Sequence, residues 1–410
     1  MKRPEAVSRK VVITAIGVIS SLGNTPGEIM ACLKDGRTSF TRPPFDDGVV
    51  AAPVGNFDIR DFTGPFKDRR YLNRGARFSV AAALSALKNS GLDEKTAAKA
   101  GLFAGFGPNF DIGGEIPEIH AGEIDAESLM ALWILRFLPN TAASTIARLA
   151  GVHGENMTVV TACTASLHAI GEAFRKIKDG YLDLAFAGGG DSRMSPGAIL
   201  AYKKTGALFT GDGDPSTASR PFDKKRSGFV PGEGGAFFLL EEREHAKRRG
   251  AAIFGEICGS GASMDGYSMT APDPEGIWEE AAVRAALWEA GMSPAQIDAV
   301  AAHGTGTILN DDMEARLLAR IYEGHAPHVI ALKSWIGHLS AACGAVELAI
   351  CLALMGDGCL PEIRNLNAPC HTGINFVQCG KAASLRTVMV ENFGFGGQNS
   401  VLIIKAPDKA

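Results

Sequence analysis

Short runs of apolar and β-branched residues alternate along this chain with longer stretches in which apolar residues return every three or four positions. The first kind reads as strand and the second as helix. Residues 11–14 (VVIT) open the series. Residues 76–91 (ARFSVAAALSALKNSG) carry helical spacing and a glycine stop, and residues 101–105 form a strand that leaves through the turn GFGP at 105–108. Strands follow at 157–161 and 184–187, with a helix over 166–180 between them. This alternation predicts a layered α/β fold in which helices cover a mostly parallel sheet.

From residue 251 the series begins again. A strand at 253–258 has a glycine-rich exit, a helix covers 277–291, a strand at 299–302 runs into HGTG at 303–306, and a strand at 329–332 precedes a helix from His338 to Met355. The repeated order predicts an internal duplication of roughly 150–200 residues per copy. The halves are drawn at 1–250 and 251–410. Cys163 falls between a strand and a helix in the first, and His338 falls at the corresponding junction in the second. Residues 112–141 have no counterpart and read as an insertion that forms a cap or a dimer surface.

Composition narrows the class. Of 410 residues, 46% are hydrophobic and 21% charged, which suits a globular protein and excludes a disordered chain or a coiled coil. With 41 Lys and Arg against 45 Asp and Glu, the net charge of −4 gives no global field for nucleic acid or an anionic membrane, so an anionic partner needs a local basic patch. The 49 glycines sit in short clusters beside apolar runs, as tight strand-to-helix turns require. Eight cysteines form no CxxC pair, which points to free thiols and a reducing cytoplasm. Lys2, Arg3, Arg9 and Lys10 ahead of an apolar run loosely mimic a secretion signal, but Gly17 interrupts the run and no clean cleavage site follows. No 18 uninterrupted apolar residues occur, so no transmembrane helix is expected.

The candidate chemistry lies at strand ends: a cysteine flanked by small residues at a strand-to-helix turn, and two histidines flanked by glycine. TACTAS at 161–166 places the Cys163 thiol at a helix N-terminus, where unpaired N–H groups and the macrodipole favour thiolate. A single cysteine is otherwise most often a small buried hydrophobe. HGTGT at 303–307 and KSWIGH at 333–338 hold the two histidines, His303 and His338, that occur at such exits. A lone histidine is more often structural than catalytic. His325 and His328 stand in a turn with no ligand set beside them, so no metal is expected. NFGFGGQN at 392–399 joins two strand-like runs, 387–390 and 401–404; without a following helix it is poor as a nucleotide loop, as is GSG at 259–261, and better suited to holding an oxyanion.

Taken together, TACTAS, HGTGT, KSWIGH with GAVE at 344–347, and NFGFGGQN resemble the β-ketoacyl-acyl carrier protein synthases, in the order and spacing of the elongating type II branch. VVITAIGVISSLGN at 11–24, SRPFD at 219–223, GFVPGEGG at 228–235 and EEREHAKRRGA at 241–251 extend the resemblance over nearly the whole chain. It implies the duplicated, five-layered α-β-α-β-α thiolase fold, which usually dimerises. It also implies a decarboxylative condensation with malonyl-acyl carrier protein (malonyl-ACP), with substrates carried on the 4'-phosphopantetheine arm and no metal or other cofactor.

Carried over motif by motif, Cys163 matches the thiol that takes the acyl group. His303 and His338 match the pair that assists decarboxylation by hydrogen bonding the malonyl thioester carbonyl. The amides of Cys163 and Phe395 match the oxyanion hole, and Phe395 also matches a gate that moves with the loop of Asp265. Lys333 and Glu347 match charged residues that organise the pocket, and Thr305 and Thr307 match contacts to the pantetheine arm. Pro108 and Phe110 fall near the acyl-pocket floor and dimer contact. Lys67, Arg69, Arg70, Arg74, Lys203 and Lys204 align with basic docking regions for the acidic carrier protein.

Ser166, Asn310, Trp335 and Cys343 depart from the commonest elongating pattern, and Trp335 adds bulk beside His338 that would reshape a channel. These departures put housekeeping elongation in question and leave fatty acid synthesis and a specialised pathway, such as polyketide, polyene or unusual fatty acid synthesis, both open. A chain-length-factor-like partner shares the fold but typically lacks the nucleophile, and a thioester hydrolase or thiolase-like acyltransferase would not need two histidines with Lys333. A homodimer is expected, with a heterodimer as the alternative.

Overall fold

The computed structural model describes residues 9–108, 127 and 129–407, with the backbone of two short strands, Ile119–His120 and Glu123–Ile124. Phe110 and most of the 112–141 insertion lie outside the described residues.

Among the described residues a ten-stranded sheet takes five strands from before residue 250 and five from after it. The first five are β1 (Val11–Ile19), β2 (Gly101–Gly105), β3 (Asn156–Val159), β4 (Leu184–Ser192) and β5 (Glu233–Glu242). The second five are β6 (Gly255–Met264), β7 (Ala299–Ala301), β8 (His328–Ile330), β9 (Thr387–Gly394) and β10 (Gln398–Lys405). Their order across the sheet is β3-β2-β4-β5-β1-β6-β10-β9-β7-β8, so each strand has its counterpart at the mirrored position. The halves meet where Val11–Ile13 pair antiparallel with Gly255–Ile257.

The sheet is mixed, which corrects the expectation of a mostly parallel one. The outer pairings β3/β2, β2/β4, β9/β7 and β7/β8 are parallel, and every pairing between β4 and β9 through the centre is antiparallel. The reason is local at one end: β9 and β10 are joined by the short turn 395–397, and a tight turn can only return the chain antiparallel.

Helices make the other layers. α1 (Arg74–Ser90) and α2 (Asn140–Ala150) cover the outer face of the first half, and the middle layer pairs α3 (Ala165–Lys178) with the later helix Cys343–Asp357. After α4 (Pro196–Thr205), α5 (Ile277–Ala290) and α6 (Ile308–Ile321) cover the second half, and Cys343–Asp357 is α7. Segment Ser340–Asp357 is long and apolar enough to cross a membrane by composition alone, yet it is 78% buried as the central helix between the sheet halves. Its apolar character all round follows from that position.

Two mirrored features fix the packing. On β1, a methyl group added at Gly17 would lie 2.0 Å from the carbonyl oxygen of Ala82 in α1; on β6, one at Gly261 would lie 1.9 Å from that of Ala282 in α5. Glycine is therefore what lets each outer helix approach its strand, and this explains the GSG run at 259–261. Before each central helix, one non-glycine residue takes a left-handed conformation, Ala162 (φ +48°) and Ser340 (φ +49°), and a short 3-10 turn follows. That turn corrects the predicted continuous helix from His338. Residues Lys333–Ile336 form a single turn, Gly337 breaks it, and His338 is held in extended backbone, donating to Val230 (2.7 Å) and accepting from Gly232 (2.8 Å).

Candidate active site

The two strained junctions bring the chemistry together. Cys163 sits in the 3-10 turn Ala162–Thr164 at the head of α3, and His338 stands two residues before Ser340 at the head of α7. His303 leaves β7, and Phe395 lies on the β9–β10 turn. All four reach one cavity of about 590 Å³, whose wall also includes Thr305, Thr307, Pro108 and Asp265.

The imidazoles are buried, 5.6 Å apart between ring centres and nearly perpendicular at 81°. Their tautomers follow from their neighbours. Nδ1 of His338 accepts the Ser340 backbone N–H at 3.0 Å and faces the Cys343 thiol at 3.7 Å, so its proton resides on Nε2. Nδ1 of His303 faces the Asn392 side-chain nitrogen at 3.5 Å, while the two hydrogens of that nitrogen go to Glu347 and to the Glu391 carbonyl, each at 2.8 Å. Burial, with the nearby Lys333 charge, depresses both: His303 well below the ordinary histidine value and His338 to about 3. Both are neutral N–H donors at physiological pH.

Lys333 and Glu347 are not on the cavity wall. They form a fully buried ion pair behind it at 2.7 Å, and Asn392 bridges the pair to His303 by donating to Glu347 at 2.8 Å. Burial works against the Lys333 charge, and Glu347 outweighs it, holding the ammonium above its usual value. Lys333 thus supplies a fixed positive field to both histidines and to Cys163.

At Cys163 the balance differs from the sequence reading. Burial pushes the thiol up to about 11, against the Phe395 N–H and the Lys333 charge that pull it down. The unliganded site therefore holds a thiol, because loss of water at the head of α3 outweighs the attraction of the helix end.

Several functional residues carry no signal in the motifs. Glu314 accepts the backbone N–H groups of His303 (2.6 Å) and Gly304 (2.8 Å), and Asp311 accepts those of Thr305 (3.1 Å) and Gly306 (3.2 Å). Both carboxylates are fully buried on α6. Two acids three positions apart in a helix that starts at the HGTGT loop are the one cue the sequence offers. Asp265 accepts from Asn399 (2.6 Å) and its own N–H donates to Gly397 (2.8 Å), while Gly396 donates to Met269 (2.9 Å), stitching its loop to the Phe395 turn.

Two predicted residues stand elsewhere. Trp335 is absent from the cavity wall; its indole N–H donates to the Glu362 carbonyl (2.7 Å) and Arg364 stacks on its ring, because the single helical turn 333–336 aims it into the core. Arg74 reaches the buried carboxylate of Glu233, at 2.7 and 2.6 Å, and anchors the start of α1 while its own side chain stays 40% exposed. Lys203 is half-buried against Asp46 (2.7 Å), whereas Lys67, Arg69, Arg70 and Lys204 are exposed. Among the described residues no group of three or more His, Cys, Asp or Glu side chains is arranged to hold a metal ion.

The chain is similar to known proteins over nearly its full length. A 3-oxoacyl-[acyl-carrier-protein] synthase 2 of Vibrio cholerae is 35% identical over 414 residues, spanning 97% of this chain and 99% of that protein. A β-ketoacyl synthase from Burkholderia phymatum superposes with a TM-score of 0.89 at 31% identity, covering 98% of this chain and all of the other. The ishigamide ketosynthase/chain length factor superposes with 0.87 at 32% identity, with the same coverage. Residues 8–246 match the model of the beta-ketoacyl synthase N-terminal domain and residues 254–367 that of the C-terminal domain. With one cavity built from both matched segments, the chain belongs to the β-ketoacyl synthase family.

Proposed function

We propose that this protein is an acyltransferase that condenses a Cys163-bound acyl group with malonyl-ACP, releasing CO2 and β-ketoacyl-ACP. The observation that carries this reading is a thiol and two neutral imidazoles on one cavity, with the proton of His338 held on Nε2.

In the first step the Cys163 sulfur bonds to the acyl carbonyl carbon, the pantetheine thiolate leaves, and the proton of Cys163 ends on that leaving sulfur. The amides of Cys163 and Phe395 bind the oxyanion, the Phe395 N–H being the backbone donor that pulls the Cys163 thiol down. In the second step the malonyl C–C bond breaks, CO2 departs, and the electron pair becomes an enolate whose oxygen accepts from His303 and His338. Neutral donors suit this role, since a cationic imidazolium would surrender its proton to the enolate. The enolate carbon then attacks the Cys163 thioester, and the thiolate is expelled. Neither step needs a metal or redox group, and the only carrier is the phosphopantetheine arm of ACP.

Thr305 and Thr307, 2.9 Å apart through their hydroxyls, are proposed to hold that arm. Lys67, Arg69, Arg70 and Lys204 are proposed to dock the carrier protein, in a homodimer working in the cytoplasm. The chain is read as two halves, 1–250 and 251–410, with the site at their junction.

Intact-mass spectrometry of purified protein with acyl-ACPs, followed by malonyl-ACP, tests the reading. Wild type is expected to gain an acyl group on Cys163 and to yield a β-keto product two carbons longer. Cys163→Ala loses acylation, and His303→Ala keeps acylation but loses CO2 release. Wild type that acylates without condensing would refute it.

A further inference from the structure

One patch of the otherwise largely apolar cavity wall is polar. Arg193, just past the end of β4, is 6% exposed and lines the cavity with Asp191, to which it is paired at 3.0 Å. Its other guanidinium nitrogen donates to the carbonyl of Pro108, and Asp191 also accepts the Ala341 amide at 3.1 Å. Gly107 makes the room: a methyl group there would lie 1.8 Å from the guanidinium. Beside the pair, Tyr202 on α4 shares a hydrogen bond with Ser340 at 3.0 Å, and both face the cavity. Two hydroxyls carry two hydrogens, and this bond uses one. Among the described residues the other has no acceptor.

A saturated acyl chain laid on this patch would cover the two hydroxyls and leave one hydrogen without an acceptor, which is costly. A chain bearing oxygen offers an acceptor to that hydrogen, beside the Arg193–Asp191 pair. A carboxylate is a poorer match, because Asp191 holds the neighbouring negative charge. We infer that the acyl group taken up by this protein carries a neutral oxygen, a ketone or hydroxyl, along its chain. The inference rests on the condensing reading above and assigns a substrate class to its acyl site.

The test compares acylation of Cys163 by pantetheine thioesters of equal length: hexanoyl, 3-oxohexanoyl, 5-oxohexanoyl and adipoyl. The better of the two oxo chains is expected to react about tenfold faster than hexanoyl, as a site with hydrogen-bonding groups discriminates against an analogue that lacks the partner. Tyr202→Phe should cut that ratio severalfold. The pair Asp191→Asn with Arg193→Met, which keeps an acceptor for Ala341, should bring it near one. Hexanoyl reacting as fast as either oxo chain, adipoyl reacting fastest, or a ratio untouched in both variants would overturn the substrate class while leaving the condensing reading intact. Failure of every thioester to acylate Cys163 would overturn both.

Discussion

At the scale of single residues, the site works by opposing burial against a few fixed charges and dipoles. Desolvation pushes the Cys163 thiol up and both imidazoles down, and Lys333 reinforces the second effect while countering the first. The consequence for Cys163 can be measured. A thiol raised to about 11 gains thiolate as pH rises and stays mostly protonated below that value. Alkylation of Cys163 by iodoacetamide, followed by peptide mapping, should therefore accelerate about tenfold per pH unit from pH 7 to 10 without a plateau. A plateau below pH 8 would mean that the end of α3 outweighs burial. Residue identity gave His303 and His338 to the sequence reading because they stand beside glycines at strand ends, and Cys163 because small residues flank it between a strand and a helix. It was silent on Asn392, Asp311 and Glu314, whose roles consist of backbone and side-chain contacts made only after α6 and β9 pack.

At the scale of elements, periodicity located most helices and strands and misjudged how the chain bends at the site. Strand 101–105 and helix 277–291 agree with the structure almost residue for residue, since neither contains a break. The helix drawn from His338 instead starts at Cys343, because Ser340 takes a conformation that side chains disfavour and the surrounding backbone holds it there. Gly17 and Gly261 are the element-scale counterparts, each setting a helix-to-strand distance. Gly17→Ala and Gly261→Ala should each destabilise by about 1–3 kcal/mol in urea unfolding, the range for overpacked cores, because the clashing atom is backbone. Gly27→Ala, whose added methyl meets nothing within 4 Å, should be neutral or slightly stabilising.

At the scale of the whole molecule, charges that look alike in sequence separate into two kinds. Arg74 lies four residues beyond Arg70, yet it closes on a carboxylate with 0% side-chain exposure while Lys67, Arg69 and Arg70 face solvent. Arg74→Ala should cost about 2 kcal/mol, below the full penalty of breaking a buried pair because Arg74 itself is 40% exposed. Replacing Lys67, Arg69 and Arg70 with Glu should leave the melting temperature within a degree or two, since such exposed charges add little to stability. The same triple change should raise KM for acyl-ACP about tenfold or more at low salt, an effect that added salt shrinks. A triple variant that melts early, or an Arg74 variant that loses only carrier-protein affinity, would reverse these assignments.

The sequence by itself determined the layered α/β class, the repeat of element order, and the cysteine and two histidines that share the cavity. Each of these is written in local pattern: the period of apolar residues, glycines at strand exits, and four motifs in a fixed order. Tertiary structure alone decided the antiparallel centre of the sheet, the inward aim of Trp335, the anchoring of Arg74 and the ion pair on the cavity wall. Those depend on which distant segments meet, and the approach of Arg193 to Asp191 and Pro108 across a space left by Gly107 is a matter of packing that no local pattern encodes.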